Sequence, residues 1–346
     1  MIDSDPAQQD PAKVARDIHQ RVCVADGHAD ALMWNRDLCQ KSAEGHVDFP
    51  RLKEAGVKLQ CFPVVTRGYP PVDGFGLLKW KRDWPAHAKK GEWAACQWQL
   101  DRMADFCRRS QGQVSIAGRS TELSGNLQKG VLSAVLGIEG GHALEGKVER
   151  VRECYQRGVR FIGLTHLYNN ELGGSSSPLQ GNKPLTELGR QMLDEMAKLG
   201  MVLDISHASP KTLEQMLEHP IRPFCSHAGV SKERKLWRNL DDASLKKIAD
   251  KGGVVGIIFA TYYVGGKTLD DICRHIEHAV NVMGEDGVGL GSDFDGLIPL
   301  PQGIKDVADL PNLTEALLKR GMPVRVAEKV AGENYKRFFL EVLERS

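Results

Sequence analysis

The chain has 346 residues, of which 41% are hydrophobic, and its 46 Lys and Arg residues almost balance its 45 Asp and Glu residues. This balance gives no electrostatic attraction for nucleic acid or for an acidic membrane surface, so small molecules are the expected partners. The length exceeds that of most single domains but is ordinary for an α/β barrel, so one large core is predicted.

The sequence shows none of the segments that targeting, membrane insertion or disulfide bonding require. Residues 1–20 are polar and lack the apolar stretch of a secretory signal, no apolar run reaches the length of a membrane helix, and residues 340–346 carry no lipid-anchor signal. We therefore expect a cytoplasmic protein. The eight cysteines form no Cys-x-x-Cys pair and are expected to be reduced and buried, which argues against a cysteine-based zinc site.

Short apolar segments alternate with amphipathic ones along the chain. The segments 148–157, 186–199, 210–217, 242–251 and 269–283 are predicted helices. Strict alternation of strand and helix, eight times over, predicts a TIM barrel, an α/β fold. The alternative is an open doubly wound sheet, but its phosphate-binding glycine fingerprint is missing. The predicted strands are 21–26, 57–62, 132–138, 159–165, 201–206, 223–226, 253–259 and 288–292.

Two regions of the sequence are additional to the eight strand–helix units of a minimal barrel. Residues 66–118 separate the second and third predicted strands and contain four tryptophans and a helical stretch at 92–109. We interpret them as an insertion that packs over the barrel within one domain, residues 1–346; the alternative is the second barrel helix preceded by a long loop. Residues 313–343 are predicted to form two additional helices, divided near Pro323.

Polar residues directly follow the predicted strands, and in such a barrel the chemistry lies at the C-terminal strand ends. His28 and Asp30 follow the first strand and point the same way in an extended chain, so they can bind one cation. Glu139 ends the third strand between glycines and can approach two cations. Each motif alone also has an ordinary explanation, a surface His-x-Asp pair or a glutamate that caps a helix or pairs with an arginine.

Two successive strands, the fifth and the sixth, each end in a Ser-His pair, at His207 and His227. Neutral imidazole is the nitrogen ligand that zinc prefers, although either histidine alone is more simply a hydrogen-bonded structural residue. With His28, Asp30 and Glu139 they form a ligand set in which one carboxylate bridges two metals. Two metals about 3.5–4 Å apart can share a hydroxide and clamp a scissile group, so hydrolysis is the predicted reaction class.

The fourth and eighth strands supply the remaining candidates. His166 can be a further ligand, but five ligands suffice, so we assign it to polarising the substrate carbonyl and holding the tetrahedral oxyanion. Asp293 can take the proton of the bridging water and pass it to the leaving amine. Its neighbour Asp295 competes for this role and is predicted instead to cap the following turn.

Seven short motifs occur in order along the eight predicted strands. They are Asp26-Gly27-His28-x-Asp30, Gly137-Ile138-Glu139-Gly140-Gly141-His142, Leu164-Thr165-His166, Asp204-Ile205-Ser206-His207, Ser226-His227, Arg238-Asn239-Leu240-x-Asp242 and Gly291-x-Asp293-Phe294-Asp295-Gly296. In this order and context they resemble the membrane (renal-type) dipeptidases, peptidase family M19, a metal-dependent branch of the amidohydrolase barrels. Without a visible signal or anchor, the chain looks like a bacterial member.

The resemblance implies a zinc enzyme with two ions per subunit, which cleaves L-Xaa-L-Xaa and L-Xaa-D-Xaa dipeptides with a metal-bridging hydroxide. It assigns His28 and Asp30 to one zinc ion, His207 and His227 to the other, and Glu139 to both ions, which makes Glu139 a catalytic residue as well as a ligand. Members of the family commonly form homodimers, whereas the sequence itself does not give the oligomeric state.

By the same resemblance, His166 contacts the substrate carbonyl, Asp293 handles protons, Arg238 binds the free C-terminal carboxylate, and Tyr263 lies near that carboxylate. A planar guanidinium suits a carboxylate because two parallel hydrogen bonds can form. The alternative for Arg238 is a solvated side chain in a loop.

The sequence departs from the mammalian members at residues 60–63 and 167–174, where side-chain pockets are expected. Substrate preference is therefore the property on which the chain is expected to differ. A related metal hydrolase for N-acyl amino acids, lactams or modified peptides is the alternative function. A barrel retained as a non-catalytic binding protein is a third hypothesis, disfavoured by the intact ligand set.

Overall fold

The structure, a computed structural model, describes residues 10–66 and 83–344. All strand pairings in these residues are parallel, and pairing of the second strand with the fourth closes a ring of eight strands. The predicted TIM barrel is confirmed. The strands are β1 (Val24–Asp26), β2 (Val57–Val65), β3 (Val114–Ile116), β4 (Leu132–Glu139), β5 (Val159–Gly163), β6 (Val202–Asp204), β7 (Pro223–Ala228), β8 (Val254–Ile257) and β9 (Val288–Leu290).

Helices follow most barrel strands, and the five predicted helices agree with the structure within two residues at either end. Several begin at a capping side chain, such as Thr186, Ser209 and Asp241, which accept a backbone N–H of the first turn. The helices are α1 (Pro11–Arg21), α2 (Phe49–Glu54), α3 (Glu92–Arg109), α4 (Ser120–Lys129), α5 (Glu149–Gln156), α6 (Glu187–Lys198), α7 (Pro210–Glu218), α8 (Asp242–Asp250), α9 (Thr261–Val264), α10 (Leu269–Met283), α11 (Leu310–Lys319), α12 (Val324–Glu328) and α13 (Asn334–Leu343).

Between β2 and β4, the described residues include the predicted helix, α3, and a strand that the sequence pattern missed. That strand, β3, is three residues long and, among the strands that the structure describes, pairs only with the start of β4, so it lies outside the eight-strand ring. Helix α3 carries Trp98, whose ring lies 5.1 Å from that of Trp84. Trp80 falls outside the described residues. That 66–118 is an insertion in a single domain remains our proposal.

The C-terminal helices differ in part from the prediction. Helix α12 begins directly after Pro323, as expected, but a π-helical segment, Lys329–Glu333, separates it from α13. A Cβ atom on Gly332 would lie 2.0 Å from the carbonyl oxygen of Cys23, so only glycine permits this close approach to β1. The predicted second helix is therefore two helices, and the break directs α13 to the barrel.

Helix α13 closes the N-terminal end of the barrel with aromatic side chains. Tyr335, Phe338 and Phe339 are fully buried and pack among residues at the beginnings of the strands. The ring of Phe224 lies 5.8 Å from that of Phe338 and 5.4 Å from that of Phe161. Aromatic pairs at such distances stabilise a core beyond the area that they bury. One end of the barrel is therefore filled by apolar packing.

The described helices include none that combines the length and the apolar character needed to cross a membrane. The eight cysteines are free; six of them are buried, in agreement with the prediction, whereas Cys39 and Cys107 are half-buried. The cytoplasmic location stays a prediction.

Candidate metal centre at the C-terminal end of the barrel

The predicted site residues lie together at the C-terminal end of the barrel, where neighbouring strands end side by side. Seven side chains form three overlapping groups, in each of which the potential ligand atoms lie within 4.8 Å of one another. Glu139 belongs to two of the groups and His28 to two. The groups are His28, Glu139 and His227; Glu139, His166 and His207; and His28, Asp30 and Asp293.

Glu139 stands at the centre of this arrangement, with its two oxygen atoms facing different imidazoles. Its Oε1 lies 2.9 Å from Nε2 of His207, 3.4 Å from Nε2 of His227 and 3.6 Å from Nε2 of His28. Its Oε2 lies 3.5 Å from Nε2 of His166. A carboxylate placed in this way can bridge two cations, and this role of Glu139 stays a prediction.

Asp30 and Asp293 lie on the side of the site formed by β1 and β9. Asp30 Oδ1 is 3.2 Å from Nε2 of His28. The backbone N–H of Asp293 donates to the carbonyl of His28 at 3.1 Å, and that of Asp30 donates to the carbonyl of Phe294 at 2.8 Å. These reciprocal bonds hold the two loops in register, so both carboxylates face the same space.

Two site residues have left-handed backbone conformations that non-glycine residues seldom adopt. The φ angles are 64° for His207 and 60° for Asp293. Such conformations cost about 1–3 kcal/mol each and persist where the surrounding structure holds them, most often at functional sites. The backbone strain here coincides with the polar cluster.

The buried cluster shifts the pKa values of its members in opposite directions. Burial, and then the neighbouring Asp30, hold the pKa of Asp293 well above its usual value. Burial alone would raise the pKa of Glu139, but His166 and His28 hold it well below its usual value. Burial, and then Arg238, lower the pKa of His207, so its imidazole is neutral and can offer a lone pair.

Several buried atoms of the cluster make no hydrogen bond within the described part of the chain. They include Nε2 of His28, Oδ1 of Asp30 and Oε2 of Glu139, which face the space between the clustered side chains. A buried polar atom without a hydrogen bond costs about 1–3 kcal/mol, and bound cations would offset this cost for all three. Imidazole nitrogens and carboxylate oxygens are ligands that zinc accepts. The residues present therefore fit a centre of divalent metal ions.

Arg238 is buried at the wall of the site and is not the solvated loop residue of the alternative interpretation. Its Nη2 lies 3.0 Å from the carbonyl oxygen of His227 and 3.0 Å from Nε2 of His207. The guanidinium carbon lies 4.8 Å from the centre of the Tyr263 ring, as in a cation–π contact. Arg238 and Tyr263 thus lie together beside the clustered imidazoles, and their roles towards a substrate carboxylate stay predictions.

A cavity of about 220 Å³ opens over the cluster. Arg238 and Tyr263 line one part of it, while Met33, Val65 and Leu297 add apolar surface. Sequence reasoning missed these apolar residues, because they lie in three separate segments and follow no motif.

Asp295 does not cap the following turn, so that prediction is wrong. Its carboxylate forms an ion pair with Arg36 and accepts the backbone N–H of His46 at 2.7 Å, and its side chain is 1% exposed. Its own backbone N–H donates to Nδ1 of His46. Asp295 therefore joins the loop after β9 to the loop after β1. These partners are distant in sequence, so no local pattern indicated them.

Comparison with known proteins places the chain in a family. The model of the family described as membrane dipeptidase (peptidase family M19) matches residues 12–345. An uncharacterised dipeptidase of Schizosaccharomyces pombe is 30% identical over an alignment of 348 positions, including gaps. The alignment covers 94% of this chain and 82% of that protein.

Solved structures agree with this assignment. A metallopeptidase from Rhodobacter sphaeroides, solved with a phosphinate mimic of the dipeptide L-Ala-D-Ala, is similar with a TM-score of 0.80 and 26% identity, covering 94% of this chain and 99% of its own. The probable dipeptidase PvdM from Pseudomonas aeruginosa shares the fold, with a TM-score of 0.83 and 21% identity over 99% of this chain and 100% of its own. The chain therefore belongs to the membrane dipeptidase family, peptidase family M19, and is a metallo-dipeptidase of that family.

Proposed function

We propose that the chain is a zinc-dependent dipeptidase that hydrolyses L-Xaa-L-Xaa and L-Xaa-D-Xaa dipeptides. The observation that carries the proposal is the position of Glu139, whose two oxygens face four imidazoles in a buried site at the mouth of the barrel. The relative from Rhodobacter sphaeroides, solved with a mimic of L-Ala-D-Ala, supports the choice of a dipeptide with a D-residue as one substrate.

The proposed centre holds two zinc ions per subunit. His28 and Asp30 bind one ion, His207 and His227 bind the other, and Glu139 binds both. When bound, such ions provide a bridging hydroxide as the nucleophile and polarise the scissile carbonyl. His166 and Asp293 also lie in the three groups of potential ligands, so metal counts in their variants test the division of roles.

His166 and Asp293 are assigned to the substrate rather than to the metals. Both line the cavity, and the His166 side chain is the more exposed, at 12%. From this position an imidazole can stabilise the oxygen of the scissile carbonyl as charge develops there. The Asp293 carboxylate can accept the proton of the attacking water and return it to the leaving amine.

Arg238 is proposed to bind the C-terminal carboxylate of the dipeptide. Its loop follows β7, which lies directly across the eight-strand ring from β2. A dipeptide held at Arg238 therefore extends towards Val65 at the end of β2 and towards Met33 beside it. We expect this apolar wall to favour apolar side chains on the N-terminal residue.

The test uses Arg238→Lys and pairs of dipeptides with a free or an amidated C-terminus. A hydrogen bond to a charged group contributes about 1.5–3 kcal/mol, so kcat/KM for free dipeptides should fall about 10- to 150-fold. Hydrolysis of the amidated partners should change little. Zinc content is measured in parallel, because Arg238 also contacts His207 and His227. An equal loss on both substrates would contradict the carboxylate clamp.

A panel of substrates tests the wider proposal. It contains L,L- and L,D-dipeptides with apolar or charged N-terminal residues, together with N-acyl amino acids and lactams. The highest kcat/KM is expected for dipeptides with an apolar N-terminal residue. Hydrolysis of N-acyl amino acids or lactams alone would replace the dipeptidase proposal with the alternative function.

A further inference from the structure

The two Ser-His pairs contain serines to which the proposed function gives no role. Ser226 lies in β7 and is fully buried. Its Oγ lies 3.0 Å from Nδ1 of His28 and 2.8 Å from Nδ1 of His227. One hydroxyl therefore contacts two imidazoles, whose ring centres lie 3.7 Å apart and which are assigned one to each metal ion.

The hydrogen atoms around Ser226 can be counted. A neutral imidazole has one N–H, and a hydroxyl has one hydrogen and two acceptor positions. Nε2 of both rings faces Glu139, so a metal-binding Nε2 needs its lone pair and the hydrogen must be on Nδ1. Both rings then donate to Ser226 Oγ and fill its acceptor positions. The hydroxyl hydrogen is left for Ser206 Oγ, which lies 3.1 Å away.

The backbone fixes Ser226 firmly. Its N–H donates to Oδ1 of Asp204 at 3.1 Å. Cβ atoms added to Gly256 and Gly291 would lie 2.3 Å and 2.2 Å from its carbonyl oxygen, so these glycines let β8 and the end of β9 approach it closely. The hydroxyl is thus held at one point relative to both rings.

We propose that Ser226 is a positioning residue shared by the two metal sites, which holds His28 and His227 with Nε2 directed at the ions. The inference rests on the proposed function in one respect, the assignment of these two histidines to different ions. His207, which follows Ser206, differs from His28 and His227, because its Nδ1 makes no hydrogen bond within residues 10–66 and 83–344. Removal of a side chain that orients a metal-binding histidine typically lowers metal affinity about 10- to 100-fold.

The experiment compares Ser226→Ala, Ser226→Thr and Ser206→Ala as zinc-loaded proteins titrated with a chelator of known affinity. Ser226→Ala should bind both ions with about 10- to 100-fold lower affinity than the wild type, so that the chelator removes them more easily. Ser226→Thr keeps the hydroxyl and should restore affinity. Ser206→Ala is the matched control, since its hydroxyl contacts neither ring, and its loss should be smaller. Melting temperatures verify that each variant folds.

The inference would be overturned if Ser226→Ala weakened the binding of only one ion or of neither. It would also be overturned if Ser206→Ala weakened the binding of both ions as much as Ser226→Ala does. If Ser226→Ala does not fold, nitrogen NMR of histidine-labelled, zinc-loaded wild-type protein provides the test. The rings of His28 and His227 must both carry their hydrogen on Nδ1, and a hydrogen on Nε2 of either ring contradicts the proposal. A wild-type protein that binds no zinc would instead contradict the proposed function.

Discussion

The two ends of the barrel are both buried, but apolar side chains fill one end and polar side chains fill the other. At the N-terminal end, Phe224 contacts the rings of Phe161, Tyr335, Phe338 and Phe339 at 5.4–5.9 Å, so apolar surface is matched by apolar surface. At the C-terminal end, carboxylates and imidazoles crowd together, and several of their atoms make no hydrogen bond among the described residues. The same strands thus carry apolar packing at one end and the candidate metal ligands at the other.

This difference predicts which substitutions should change stability and which should change activity. Removing packed aromatic surface lowers the free energy of unfolding, because buried contacts are lost. Removing a crowded carboxylate removes a ligand or a proton carrier, while it also relieves the cost of burying charge. Stability and activity should therefore respond separately to substitutions at the two ends.

The largest effect is expected for Glu139→Gln. Loss of the proposed bridging carboxylate should release both proposed ions and bring hydrolysis towards the uncatalysed rate, a loss of about 10⁶-fold or more. Zinc content by mass spectrometry and kcat/KM for a dipeptide measure the two effects. Glu149→Gln, at an exposed position in the first turn of α5, is the control and should retain both. A Glu139→Gln protein that keeps two ions would contradict the bridge.

Asp293→Asn should lower kcat about 10²- to 10⁴-fold, the range for a lost general acid–base group, with both zinc ions retained. Steady-state kinetics with parallel metal analysis distinguish this proton-transfer role from a ligand role. Loss of one zinc ion would instead make Asp293 a ligand, as its place beside His28 and Asp30 also permits.

At the other end, Phe338→Ala should lower the free energy of unfolding by about 3–5 kcal/mol, because it removes a fully buried ring. Chemical denaturation measures this change. The dipeptidase kcat of the folded fraction should stay close to wild type, since α13 lies at the far end of the strands. A large fall in kcat without loss of stability would show that the two ends are coupled.

The smallest effect is expected for Tyr335→Phe. The hydroxyl of Tyr335 is buried and makes no hydrogen bond to the residues that the structure describes, and burial raises its pKa well above the usual value. Removing it should raise the free energy of unfolding by about 1 kcal/mol, measured by denaturation. A loss of stability would mean that the hydroxyl has a partner, such as a buried water.

The contrast between the ends also explains what the sequence could predict. Barrel strands were recognisable because residues such as Val159 and Val254 lie in short apolar runs buried on both faces. Strand β3 was not predicted because it is only three residues long and two of the three are partly exposed. The break before α13 depends on the contact between Gly332 and Cys23, which no local pattern reveals.

The candidate site follows the same division. The clustering of His28, Glu139 and His207 was predictable because each lies at the end of a strand or within three residues of it, and strand ends meet at one face of a barrel. The ion pair of Asp295 with Arg36 and the apolar wall at Met33 were not predictable, since they join loops that are distant in the chain. Connections of this kind depend on side-chain packing rather than on spacing.

We propose that the crowded end of the barrel is a two-zinc centre that hydrolyses dipeptides. The most direct measurement follows hydrolysis of L-Ala-L-Ala and L-Ala-D-Ala by chelator-treated protein as zinc is added back. We predict that activity is lost on chelation and reaches its full value only at two equivalents of zinc per chain. Full activity after complete removal of metal, or full recovery at one equivalent, would contradict this account.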